Sequence, residues 1–273
     1  MRRFAPTLSL LGFLAGLPAA AQDAPGPIQD NSFLLEEAYN QEDHVVQHIS
    51  AFLRSEGGDW VYTFTQEWPV KGQRHQLSYS LPVAAVDDGA GRSTGLGGLA
   101  LNYRFQAVGS GQTRVAFSPR LSVLLPTGSH ERGRGAGSGS LQVNLPLSLV
   151  LADRLVAHSN AGLTWTGSAK DAAGDEADAS AVNLGQSLIW LAHPRFNVML
   201  ELSYLHLQGV AGPGRTEWTD SLLLSPGVRW AWNFANELQV VPGVAVPIGI
   251  GPSSGEVGVF AYLSFEHPFG KRR

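Results

Sequence analysis

The 273-residue sequence has no cysteine, and only 15% of its residues are charged. Without cysteine there is no disulfide framework and no thiol chemistry, so backbone pairing and packing must hold the fold. Acidic residues outnumber basic residues by 23 to 19. No basic patch of the kind that nucleic acid requires stands out, and we expect no nucleic-acid partner. After the first twenty or so residues, no apolar run is long enough to form a membrane helix.

The N-terminus has the layout of a secretory signal peptide. Arg2 and Arg3 precede an apolar run at 8–17, and three alanines at 19–21 provide small residues for cleavage. We therefore predict a signal peptide at 1–21 and a mature chain that begins near Gln22. A membrane anchor is the alternative, but the apolar run is short for a span.

Residues 114–128, RVAFSPRLSVLLPTG, alternate between apolar and polar side chains. In an extended strand Leu121, Val123 and Leu125 share one face, and Arg120 and Ser122 share the other. About ten such residues, tilted, cross the hydrocarbon layer of a bilayer. Strands of this kind are stable in lipid only as part of a closed ring. The stretch therefore predicts a membrane β-barrel if the rest of the chain repeats it.

The same alternation recurs along the chain. It predicts strands at 43–53, 59–68, 73–83, 95–105, 113–126, 139–151, 154–166, 180–192, 195–207, 217–232, 236–248 and 255–267. Twelve is an even number, as a bacterial barrel with both termini in the periplasm requires. A shift of about 2–4 residues in the boundaries would allow ten strands. The predicted fold is all-β, a transmembrane antiparallel β-barrel of about 12 strands at 43–269, with a periplasmic segment at 22–42 and a basic tail at 270–273.

Connection lengths support this arrangement, because periplasmic turns are short and outer loops are longer. Predicted turns lie at 69–72, 106–112, 152–153, 193–194 and 233–235. Predicted outer loops lie at 54–58, 84–94, 127–138, 167–179, 208–216 and 249–254. Four prolines inside proposed strands count against the register, since proline lacks a donor for the sheet: Pro119, Pro146, Pro226 and Pro242. Bulges could accommodate them.

One face of the predicted strands is apolar, apart from Asp220 near an outer end, and the opposite face is mixed and polar. A soluble sandwich would instead have a charged outer face. The polar face predicts a water-containing lumen, lined by Glu67, Arg74, Arg104, Arg120, Asn144, Asn160, Glu201 and Arg229. These charges could select solutes in a channel, or they could form an ion-pair network that fills the barrel.

Residues 31–41, NSFLLEEAYNQ, predict a short helix capped by Asn31 or Ser32. The helix would form an ordered periplasmic arm, which we expect, or would enter the lumen. In the second case the candidates for a plug are Glu36, Glu37, Tyr39 and Asn40.

Several stretches resemble an outer-membrane family named for the meta-pathway of phenol degradation. The matching residues are EEAYNQ at 36–41, VVQH at 45–48, WP at 68–69 and LPTG at 125–128. The resemblance runs from about Ser32 to the C-terminus. It implies a barrel and a role in the passage of aromatic or other apolar compounds. The chain departs from the usual barrel ending, because Phe269 is followed by GKRR. The signal for the barrel-assembly machinery would then end at Phe265 or Phe269.

We therefore expect a passive channel for small solutes in the outer membrane of a Gram-negative bacterium, surrounded by lipid. No metal-ligand cluster or phosphate-binding loop stands out, so we expect no cofactor, no metal and no enzymatic activity. One alternative is an outer-membrane lipid hydrolase, for which His48 with Ser50 and His158 with Asn160 are the candidate residues. Another is a structural or adhesive barrel that uses the loop at 127–138, with His130, Glu131, Arg132 and Arg134.

Overall fold

In the computed structural model, residues 28–87, 89 and 91–269 are described, and they form a closed antiparallel barrel. The predicted signal peptide at 1–21 and the basic tail at 270–273 lie outside these residues. The strands are β1 (Val45–Ser55), β2 (Trp60–Pro69), β3 (His75–Asp87), β4 (Arg92–Leu96 and Leu99–Phe105), β5 (Val115–Phe117 and Arg120–Leu125), β6 (Ser140–Asn144 and Leu147–Ala152), β7 (Leu155–Lys170), β8 (Glu176–His193), β9 (Phe196–Val210), β10 (Thr216–Trp230 and Trp232–Asn233), β11 (Gln239–Ala245 and Ile248–Gly249) and β12 (Gly258–Pro268).

The barrel closes where β12 pairs with β1, from Val45 opposite Pro268 to Ser55 opposite Gly258. Each remaining strand pairs with its neighbours in the chain. The predicted count of twelve is therefore confirmed. Strands β7, β8 and β9 run several residues further towards the outer loops than predicted, so the outer connection between β7 and β8 shrinks to 171–175.

Side chains alternate across the wall as the sequence pattern predicts. Leu121 is 50% exposed on the outer surface, whereas its neighbour Ser122 is 1% exposed on the inner surface. Other outward positions carry exposed Leu, Val and Trp side chains, including Leu141, Val143, Leu163, Trp165, Leu200 and Leu202. The outer surface is thus an apolar band of the kind that faces lipid. Among the described residues, no helix is long and apolar enough to cross a membrane.

The prolines are accommodated without bulges. Among the described strands, the register shifts lie at 155–156, 166–169 and 190–193, away from all four prolines. Pro119 and Pro146 lie in short interruptions of β5 and β6, and their carbonyl oxygens still accept hydrogen bonds from Phe105 and Ser118. Pro226 and Pro242 lie within continuous strands. Bulges, which could have accommodated these prolines, do not occur at them, because the strands stop at the missing donor or simply lack one bond.

The segment before β1 is neither helical nor an arm in the periplasm. Residues 28–44, which we call the plug segment, have an irregular backbone and lie inside the barrel. Its most buried residues are Asp30, Ser32, Glu37, Ala38 and Asn40, all 2% exposed or less. The predicted helix at 31–41 is wrong because side chains of the barrel wall, described next, take the hydrogen bonds that a helix would form with itself.

Candidate functional site

The backbone amides of the plug segment donate to polar side chains on the inner wall. Glu201 of β9 accepts hydrogen bonds from the amides of Phe33 (2.8 Å) and Leu34 (2.9 Å) through its two carboxylate oxygens. Further acceptors are Asn160 for Glu36, Ser148 for Ala38, Gln106 for Asn40 and Gln76 for Gln41. These acceptors come from β3, β6, β7 and β9 and from the residue that follows β4, so the segment is bonded on several sides.

The carbonyl oxygens of the plug segment accept from two buried arginines. Arg229 of β10 donates through Nη1 to the carbonyl oxygens of Asp30 and Asn31, both at 2.7 Å. Arg104 of β4 donates to the carbonyl oxygens of Glu37 (3.2 Å) and Tyr39. Both guanidinium groups are almost completely buried. Burying such a charge is tolerated only when its donors are satisfied, which the plug backbone accomplishes here.

Glu36 forms an ion pair with Arg120 in the middle of β5, with 2.7 Å between Oε1 and Nη2. Arg120 also donates to Asn102, Ser122 and Gln142 on the wall, so it is held in place independently of the segment. The plug segment therefore occupies the lumen at the level of Arg120.

Asp30 anchors the start of the segment, a role that the sequence pattern does not predict. Its carboxylate accepts hydrogen bonds from Gln47 of β1 and from Tyr262 and Ser264 of β12. These strands form the seam that closes the barrel. Asp30 lies 232 residues from Tyr262 and 234 from Ser264 in the sequence, so no local pattern predicts these contacts.

Glycines on the inner wall make room for the apolar side chains of the segment. A Cβ at Gly243 of β11 would lie 2.5 Å from a ring carbon of Phe33, and one at Gly227 of β10 would lie 2.4 Å from another. A Cβ at Gly185 of β8 would lie 2.1 Å from Leu35. Phe33 also packs against Phe260 and Tyr262 of β12. The wall is thus shaped to receive these two side chains.

Seven of the eight predicted lumen residues lie on the inner wall: Glu67, Arg104, Arg120, Asn144, Asn160, Glu201 and Arg229. Six of them contact the plug segment directly, and Glu67 lies 3.8 Å from Arg104. Arg74 differs, because it is exposed in the turn between β2 and β3, with its guanidinium 6.0 Å from the centre of the Phe105 ring. Placing Arg74 in the lumen is wrong because its strand begins one residue later.

All four predicted plug residues lie in the lumen. Asn40 accepts from Arg104 (2.9 Å) and Ser118 (3.1 Å), and Tyr39 packs edge-on against His158. Glu37 is 2% exposed, and within the described chain its Oε2 atom has no hydrogen-bond partner. Burial raises the pKa of Glu37 well above its usual range, against the opposing effect of the Arg104 guanidinium.

At the outer end, the loop at 126–139 folds against the strands on both sides of its hairpin. Arg134 donates to the backbone and side chain of Ser93 on β4, and the amide of Lys170 on β7 donates to Ala136 at 2.8 Å. A cavity of about 180 Å³ lies between this loop and β7–β9, lined by Thr164, Thr166, Ala181 and Leu207 among others. Arg134 is therefore held by the barrel and is a weak candidate for contact with an external partner.

The residues proposed for a hydrolase do not form a catalytic group. Ser50 contacts Tyr62 at 3.1 Å, and His48 contacts His267 at 3.3 Å, so the serine and the histidine have separate partners. His158 contacts Ser148 at 2.7 Å beneath Tyr39, and Asn160 bonds to the plug segment.

No protein-family model and no curated protein sequence matches the chain. Solved structures do match it. An outer membrane channel from Pseudomonas putida F1 has 11% sequence identity and a TM-score of 0.62, over 85% of this chain and 98% of that chain. A porin called KdgM has 11% identity and a TM-score of 0.52, over 82% and 99%. At these identities the likeness concerns the fold, and the chain has the fold of an outer-membrane β-barrel of Gram-negative bacteria.

Proposed function

We propose that the protein is a passive outer-membrane channel for small solutes and that the plug segment closes it. The observation that carries this proposal is the pattern of bonds between wall and segment. The segment is held by side chains and not by strand pairing, and so can leave without breaking the barrel. A wall that keeps Arg120 bonded to Asn102, Ser122 and Gln142 retains its polar lining when the segment is absent.

The outer half of the lumen supports passage of solutes with apolar parts. Leu205 and Leu207 of β9 share the inner face with Glu201 because they follow it at two-residue steps. They are 37% and 42% exposed, and Leu207 lines a cavity together with Thr164 and Thr166. An entrance with apolar and hydroxyl side chains suits small aromatic or apolar compounds. It also fits membership of the phenol-degradation family, which we propose on the residues that resemble it.

A disulfide between the segment and the wall tests the closure directly. The Oγ atoms of Ser32 and Ser187 lie 2.9 Å apart, so the double variant Ser32→Cys, Ser187→Cys places two thiols within easy reach of a bond. The protein has no cysteine of its own, so the bond is unique. We expect conductance in planar bilayers to disappear on oxidation and to return with a reductant.

The single variants are the controls, since neither can form the bond. Conductance that is unaffected by oxidation of the double variant would overturn closure by the segment. Absence of conductance and of liposome solute flux in the reduced protein would overturn the channel itself.

A further inference from the structure

An acidic cavity lies at the periplasmic end, between the plug segment and the ends of the barrel. It has a volume of about 230 Å³. Four glutamates from three parts of the chain line it: Glu37 and Glu42 on the plug segment, Glu237 in the turn between β10 and β11, and Glu266 on β12. Among the residues that the structure describes, no lysine, arginine or histidine lines this cavity.

Within the described part of the chain, Glu37 has an unsatisfied hydrogen-bond acceptor. Its side chain is 2% exposed, and its Oε2 atom accepts no hydrogen bond within the described part of the chain. A buried polar atom without a partner is costly, typically by about 1–3 kcal/mol. Glu37 is one of the residues that line the cavity, so its carboxyl group is an expected contact point for a ligand that brings a donor.

The chemistry of the lining favours an organic cation over a metal ion. No three described His, Asp or Glu side chains lie close enough together to hold one metal ion. Separated carboxylates can instead meet a ligand whose positive charges are also separated. The amide side chains of Gln41, Gln73 and Asn233 add acceptors for ammonium hydrogens, and the ring of Tyr39 adds an aromatic surface that attracts cations.

We propose that this cavity binds a small organic cation with two separated primary ammonium groups, which enters from the periplasm. One ammonium group donates to Glu37, and the other meets the carboxylates nearer the mouth. The site needs the plug segment in the lumen but does not need transport. Binding can therefore be tested in detergent on the full chain, and an absence of conductance would not contradict the proposed site.

Calorimetry with 1,4-diaminobutane tests the proposal, with 1,4-butanediol as the neutral ligand of similar shape. The diamine should bind and the diol should not. Glu37→Gln should weaken diamine binding at least tenfold. Glu131→Gln, in the exposed outer loop, is the matched control and should leave it unchanged.

If Glu37→Gln does not fold, Glu42→Gln provides a second test. Glu42 is exposed at the cavity mouth, so this variant should bind the diamine several-fold more weakly. Affinity should also rise between pH 5.5 and 8, since Glu37 must lose its proton to pair with the diamine. No binding by the unaltered protein, equal binding of the diol, or equal affinity in Glu37→Gln and Glu42→Gln would overturn the proposal. Displacement of the diamine by equimolar Mg²⁺ would assign the cavity to inorganic ions and would overturn it as well.

Discussion

Glu36 of the plug segment and Arg120 of β5 form an ion pair, with 2.7 Å between Oε1 and Nη2. Arg120 keeps three wall partners without Glu36, so the pair contributes to holding the segment and not to holding the arginine. The pair thus joins the start of the described chain to the middle of the barrel.

Replacing Glu36→Ala should favour the open channel. Loss of a hydrogen bond to a charged group costs about 1.5–3 kcal/mol, which corresponds to about ten- to a hundredfold in the ratio of closed to open protein. Open probability in single-channel recordings measures this ratio. Glu42→Ala is the control, because Glu42 is an exposed acidic residue of the same segment. Equal open probability in the two variants would contradict a role for the ion pair in closure.

Replacing Gly243→Ala should loosen the segment by a different route. The added Cβ would lie 2.5 Å from Phe33, far inside van der Waals contact, so Phe33 must move. We expect a higher open probability with a barrel of unchanged thermal stability. Gly209→Ala on β9 is the matched control, since a Cβ there meets no heavy atom within 4 Å. A Gly243→Ala protein as closed as the control would show that Phe33 does not help to hold the segment.

The strands could be predicted from the sequence because lipid imposes a simple rule on them. A residue such as Leu121 must be apolar while Ser122 faces the lumen, and this rule operates within one strand. The course of the plug segment obeys no local rule. Asn31 and the following residues carry helix signals, yet Glu201 and Asn160, more than a hundred residues away, accept the amides. Tertiary contacts override such local preferences, so the segment could not be placed from its own residues.

Replacing Leu121→Arg should impair the barrel itself. Leu121 faces lipid near the middle of β5, where an arginine costs about 2–4 kcal/mol. We expect a lower unfolding temperature and less folded protein in gels of unboiled samples. Val108→Arg is the matched control, because Val108 is also 50% exposed but lies in the turn between β4 and β5. Similar losses in both variants would contradict the position assigned to the membrane.

Acid should favour the closed channel through Glu37. Burial raises the pKa of this carboxyl when the segment is in the lumen. The docked state therefore holds a proton that the released state gives up, and docking weakens as pH rises above the ordinary range of a glutamate. The charged groups around Glu37 are Arg104 of β4, Glu67 of β2, Arg229 of β10 and Asp30 of its own segment. Arg104 and Arg229 lower the pKa of Glu37, whereas Glu67 and Asp30 raise it. Burial is the largest effect, and it therefore sets the direction of the change in pKa.

Open probability should accordingly rise between pH 5 and pH 8 in bilayer recordings. Glu37→Gln removes the proton exchange while keeping the size of the side chain, so its profile should be flatter and its channel more closed at pH 8. Glu131→Gln in the outer loop should keep the pH dependence of the unaltered protein. If Glu37→Gln retained the full pH dependence of open probability, the titrating group would be another carboxyl between the segment and the wall. Asp30→Asn would then be the variant to compare, because Asp30 is also buried there.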